Sequence, residues 1–384
     1  MLTHLEDVLS YVSAFLPRGV DVYEAVHSPE NYRHLPLLLS TLRETPSLAL
    51  FDGQYQEFWC SKRQVQLEDL AAWMILRMRS TTSVDVCDDL ERYIESTNFP
   101  VFVITLLTGI SVDQTYDFGD IKLMPPEMIP HDQLRQAAFH NNFSMLPMPE
   151  FSAALVKEIQ LEKIHSVDCE LCVQPEAFDN YIESMEDVRL CLSLSKESAR
   201  GAQAIATGLI PPEYVPIFAG TSWSLHPFTS AKLSTSLSNG EYELASSAFH
   251  SFVSLDDNRQ KHLRVPLKKL NSYATTQDPV ESAINLRTAL EALFLDKEAK
   301  QELSHRLATR AALLVGDNYE SRKEIYNVVK KAYNMGSMAV HEGRVKGNPR
   351  EVLGRAASIT VQGINILLRE PSVDWQKLEL TGQR

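Results

Sequence analysis

The chain has 384 residues, 44% hydrophobic and 23% charged, a balance that allows two or three well-filled cores and excludes large-scale disorder. A net charge of −13 excludes a protein that coats nucleic acid by neutralising phosphates over its whole surface. The 5 cysteines are too sparse and irregular for a disulfide framework, and no apolar run approaches the roughly 20 residues of a membrane span, so free thiols and a cytoplasmic, non-membrane setting are expected. Met1 to Asp7 carries no basic stretch ahead of an apolar core and does not read as a signal peptide.

Taken in chain order, Leu2 to Phe15 has helical spacing, with Leu5, Val8, Leu9, Val12 and Phe15 on one face and Pro17 and Gly19 as the stop. Leu35 to Leu42 is apolar without a clear period. Ser47 to Trp59 alternates around Asp52-Gly53 and predicts a hairpin of Leu48–Phe51 with the strand that begins at Tyr55. Helices follow over Leu67 to Met78 and Val84 to Ile94, the second capped by Ser83. Phe99 to Gly109, Leu155 to Gln160 and Ser166 to Val173 read as strands, Phe178 to Gly208 as one or two helices, and Pro211 to Pro227 as loop.

Ser234 to Gly240 has the composition of a linker and marks the expected boundary between a mixed α+β N-terminal domain, 1–235, and an all-α domain, 236–371, followed by a tail at 372–384. Beyond it, Tyr242–Val253, Asn258–Tyr273, Pro279–Leu295, Leu303–Val315, Ser321–Met335 and Pro349–Leu368 are helical throughout, which predicts an antiparallel helical bundle. On the Pro279–Leu295 helix, Arg287 and Glu291 fall inside the apolar arc at i, i+4 spacing, so they are expected to pair with each other.

The stretch from Tyr333 to Gly343, Tyr-Asn-Met-Gly-Ser-Met-Ala-Val-His-Glu-Gly, holds the histidine of greatest chemical interest, His341. Together with Arg287-Thr-Ala-Leu-Glu291-Ala-Leu-Phe and His305-Arg306-Leu-Ala-Thr-Arg310-Ala-Ala-Leu-Leu, it resembles the C-terminal domain of Apea-like members of the HEPN superfamily. The resemblance implies a HEPN-like helical bundle, a homodimer formed through it, a sensing or regulatory N-terminal domain with a regulatory protein partner, and a role on RNA in prokaryotic defence or as a toxin. It implies a metal-independent endoribonuclease in which His341 moves a proton. In that family an Arg holds the scissile phosphate, and at the corresponding position this chain has Gly336. Loss of such a donor costs about 2.7–4 kcal/mol in the transition state, so cleavage needs a substitute cation, and Arg344, Arg350, Lys330 and Lys331 are the candidates, with Ser337, Arg287, Glu291 and Tyr333 in support. The alternative is a HEPN scaffold that has lost catalysis and binds RNA or a protein.

No cofactor or metal is expected. The chain lacks a Walker A loop, a dinucleotide glycine fingerprint, a G-x-S-x-G elbow and an H-E-x-x-H pair. Its one C-x-x-C, Cys169 to Cys172 near His165, falls short of the four ligands of a structural zinc site.

Overall fold

A computed structural model describes residues 2–15, 22, 34–58, 61–130, 151–167, 175–196, 199–218, 222–227, 234–295, 302–370 and 373–382. It has an α+β region built on antiparallel sheets and a C-terminal helical region.

The first region opens with helix α1 (Thr3–Phe15) and α2 (Leu35–Glu44), which bury Leu5, Leu9 and Val12 against Leu35, Leu38 and Leu42. The predicted strand Leu48–Phe51 is instead a 3-10 turn, Pro46–Phe51. Leu48 and Phe51, three apart, are both buried, which the three-residue repeat of that turn allows and a strand, with its alternating faces, would not. The hairpin lies one step later, β1 (Tyr55–Phe58) with β2 (Ser61–Gln64). Helix α3 (Leu67–Arg77) and α4 (Ser83–Glu95) follow as expected, but the cap of α4 is Thr82, one residue earlier than predicted, in a reciprocal box with Asp85.

The main sheet then forms around β3 (Asn98–Thr108), after which come the short β4 (Ile110–Ser111), β5 (Tyr116–Phe118), β6 (Ile121–Met124), β7 (Ala153–Glu162) and β8 (Ile164–Ser166). Helix α5 (Pro175–Cys191) leads to β9 (Gln203–Ile210) and β10 (Ser222–Leu225). The sheet order is β10-β9-β3-β7-β6-β5, antiparallel at every step, and β8 pairs instead with β1. β3 buries Val101, Val103 and Leu107 on one face and Ile104 and Leu106 on the other, which is why it reads as one apolar run.

Strand β9 corrects the helical reading of Phe178 to Gly208, whose helix ends at Cys191. Its Ala-Ile-Ala-Thr-Gly-Leu-Ile run lacks alternation because both faces are covered. A Cβ on Gly208 would lie 2.6 Å from the Trp223 ring of β10, so the glycine lets that indole lie flat on the sheet. β10 itself lies in the segment expected to be loop. Most of the predicted strand Ser166 to Val173, with Cys169 and Cys172, lies outside the described residues.

The segment expected to be a linker carries structure of its own: β11 (Thr235–Ser236) runs parallel to β4, and Ser238 caps the next helix in a box with Glu241. The helices are α6 (Asn239–Val253), α7 (Asp257–Thr275), α8 (Pro279–Phe294), α9 (Leu303–Val315), α10 (Tyr319–Glu342) and α11 (Pro349–Arg369). α8 is central, touching α7, α9, α10 and α11. The helices hold the sheet region through an aromatic contact, Tyr242 on Tyr116 at 4.6 Å, and through Arg264, whose guanidinium takes both oxygens of Asp187 at 2.8 Å.

The expected C-terminal tail is partly helical: α12 (Trp375–Thr381) buries Leu378 completely and places Glu379 2.5 Å from Arg310, a guanidinium that is 1% exposed and also bonds the Phe294 carbonyl. Removing one partner of a buried pair strands the other. Glu379→Ala is therefore expected to lower the free energy of unfolding by about 2–3 kcal/mol, and Glu379→Gln by less, read from urea denaturation.

A second device lies under β1. His165 joins Tyr93, which also accepts from Gln56, at 3.0 Å, and the Leu50 carbonyl at 3.1 Å. Burial pushes its pKa down to about 4. The unfolded chain thus binds a proton that the folded chain refuses, so stability present above pH 6.5 falls as pH drops from 6.5 towards 4. His165→Gln should flatten the melting temperature across that window relative to the parent.

Candidate functional site

Helix α10 owes its 24 residues to both ends. At the start, Asn318 and Ser321 form a reciprocal cap, and at the end Gly343 takes the left-handed conformation, φ 64, that closes a helix. The prediction stopped this helix at Met335. It runs on to Glu342, so His341 stands in its last turn and not beyond it.

The inner side of α10 is set by Val329, Ala332, Tyr333, Met335, Gly336 and Ala339. At Gly336 the crossing with α8 is so close that a Cβ would lie 2.5 Å from Arg287 Cβ and 2.7 Å from the Ala283 carbonyl oxygen. Because the carbonyl is backbone, it cannot step aside. The volume that a side chain at 336 would need is filled by the stem of Arg287, whose Nε donates to Glu291 at 2.9 Å and whose guanidinium lies 4.9 Å over the Tyr333 ring. The expected Arg287–Glu291 pair is present and half-buried, with side chains 19% and 31% exposed. Burial raises the Tyr333 phenol above its ordinary pKa, and the guanidinium beside it works in the opposite direction. These three residues clamp two helices.

The outer side is different. At 100° per residue, Tyr319, Lys323, Tyr326, Lys330, Asn334, Ser337 and His341 fall within an arc of about 80°, a stripe running roughly 33 Å along the helix. Tyr319 is 73% exposed, with Lys323 6.0 Å over its ring, and Lys330 lies 5.3 Å over the ring of Tyr326. The Tyr326 hydroxyl is held at 2.9 Å by His305 of α9 and at 3.2 Å by Lys330. No carboxylate falls in this arc: Glu320, Glu324 and Glu342 lie farther round the helix.

Of the residues named from sequence, the stripe brings together Lys330, Ser337 and His341. His341 is exposed and has no hydrogen-bond or ion-pair partner among the described residues. Arg344 sits beyond the helix and is paired with Glu342 at 2.7 Å, a contact that holds the Glu342 carboxyl below its usual pKa. Lys331 lies about 80° around the helix from His341, and Arg350 lines a separate cleft. Sequence reasoning missed Tyr319, Lys323 and Tyr326. With Lys330, their i, i+4, i+7, i+11 spacing was the available signal, although starting the helix at Ser321 left Tyr319 outside it.

Among the described residues no group of three or more His, Cys, Asp or Glu side chains could hold a metal ion. No helix among them is long and apolar enough to cross a membrane. No protein-family model, curated protein or solved structure matches this chain.

Gly336→Ala tests the crossing. Helix propensity alone would favour alanine by up to about 1 kcal/mol, but overpacking against a fixed carbonyl costs about 1–3 kcal/mol, so the variant is expected to melt lower than the parent. Arg287→Ala should also melt lower, by about 1–2 kcal/mol, whereas Lys331→Ala on the exposed side should change little.

Proposed function

We propose that this chain is a HEPN-like helical protein that binds single-stranded RNA along the outer stripe of α10 without cutting it. The stripe itself carries the reading. One exposed ring, Tyr319, and one half-buried ring, Tyr326, interleaved with lysines suit single-stranded nucleic acid, in which bases stack on aromatic faces and cations follow the phosphates. The acidic balance of the chain as a whole confines such binding to a local surface and makes it sensitive to salt.

The helix crossing supports the loss of cleavage in this reading. Metal-independent RNA cleavage needs a proton-transfer group and a cation on the same phosphate. His341 can supply the first. The second has no room at 336, and Arg287 is engaged with Glu291 and Tyr333 on the inner side. A homodimer through the His341 end belongs to the same reading, supported by Val340, which is 52% exposed one residue away; Ala339, 2% exposed, is taken up inside the chain.

Fluorescence anisotropy with a labelled single-stranded RNA, run beside a denaturing gel of the same samples, tests this. The parent is expected to bind, with affinity falling as salt rises, and the RNA to stay intact. Tyr319→Ala combined with Tyr326→Ala should weaken binding by about tenfold or more, on the scale of 1–3 kcal/mol per stacked base. RNA shortened without added metal, and spared in His341→Ala, would establish a nuclease instead. Absence of binding at low salt would remove RNA from the account.

A further inference from the structure

A cleft of about 570 Å³ opens between the end of α7 and the first turns of α8 and α11. Its wall is fixed by a close backbone approach: a Cβ on Gly201 would lie 2.5 Å from Thr275 Cγ2 and 2.9 Å from the Ala274 carbonyl carbon, which presses the segment carrying Ala199 onto α7. Tyr273, Thr276, Gln277, Ser282 and Arg350 line it, with Leu353 among the apolar residues. Five polar residues thus line one space, and none of their side chains has a hydrogen-bond or salt-bridge partner among the described residues.

Their chemistry is one-sided. Arg350 is the single charged residue of the lining, in a chain whose net charge is −13, and no carboxylate among the described residues lines the cleft. Three carboxylates adjoin lining residues in sequence, Asp278, Glu281 and Glu351; Asp278 is turned to the Val280 amide as the cap of α8, and Glu351 accepts from the Asn348 side chain at 3.4 Å. The remaining lining groups include three hydroxyls and an amide, all able to donate to an anionic oxygen. Burial raises the pKa of Tyr273, although Arg350 opposes the shift, so the phenol keeps its proton and donates at neutral pH. At the start of α11, Asn348 makes no side-chain cap, which leaves the first amides of that helix without one beside Arg350.

We propose that this cleft binds a small molecule bearing an oxyanion, with the anion on the Arg350 guanidinium and the hydroxyls of Tyr273 and Ser282 donating to it. The volume lies within the range of small-ligand sites, and Leu353 offers the apolar part of such a ligand a surface. The site is independent of the α10 stripe.

Isothermal titration of the full chain with pyrophosphate and, separately, with citrate tests the proposal, the two probes distinguishing a phosphate from a carboxylate source. At least one is expected to bind at submillimolar concentration. Arg350→Ala should weaken that binding by about tenfold or more and Tyr273→Phe by about threefold, while Lys377→Ala, on α12, leaves it unchanged. Arg350→Ala should also leave RNA anisotropy as in the parent, which separates this site from the stripe. No heat with either probe, or equal affinity in Arg350→Ala protein whose melting temperature matches the parent, would overturn the proposal.

Discussion

The crossing of α8 and α10 at Gly336 is the constraint on which the outer face of α10 depends. A helix pair this close needs a residue without a side chain at the contact, and here the stem of Arg287 occupies the place that a Cβ would claim. Arg287, Glu291 and Tyr333 then hold the rotation of α10 about its own axis. Once that rotation is set, Val329, Ala332 and Ala339 must face inward, and the stripe from Tyr319 to His341 must face out. A side chain at 336 would have to separate the helices or turn one of them, and either change would move the stripe.

The same contact bears on whether the proposed RNA site could cut or only hold. An arginine at 336 looks from sequence like a single missing part, and its absence reads as a defect to be repaired. In the folded chain the position belongs to packing: it lies about 140° around the helix from His341, and the Ala283 carbonyl closes it. Arg287 has the right chemistry but is engaged in a half-buried pair. The four cations proposed to replace it are scattered over a helix face, a surface ion pair, an exposed flank and a separate cleft.

Much of the helical region was legible because its signals are local. Pro279 and Pro349 open helices where a missing N–H costs nothing, Gly343 closes one, and the apolar period between them gave the bounds of α8 and α9 to within a residue. Arg287 and Glu291 could be paired from their spacing alone. The failures were of another kind. β9 carries no alternation because both faces are buried, so its apolar run was indistinguishable from a continuing helix. Leu48 and Phe51 suggested a strand, though their spacing belonged to a 3-10 turn. The segment read as helical stops at Met335, just before Gly336, a residue of low helix propensity, and only the tertiary contact explains why a glycine is tolerated there. Thr235 and Ser236 have linker composition, yet backbone pairing with β4 is indifferent to side chains.

If the outer stripe of α10 is the RNA site we propose, RNA is expected to meet the chain there. Photocrosslinking with 4-thiouridine-substituted single-stranded RNA, followed by peptide mapping, measures this directly. The account predicts adducts concentrated on α10 at Tyr319, Tyr326 and the His341 turn, on RNA of unchanged length. Adducts concentrated on the sheet region, or on the inner face around Arg287 and Tyr333 with shortened RNA, would contradict it.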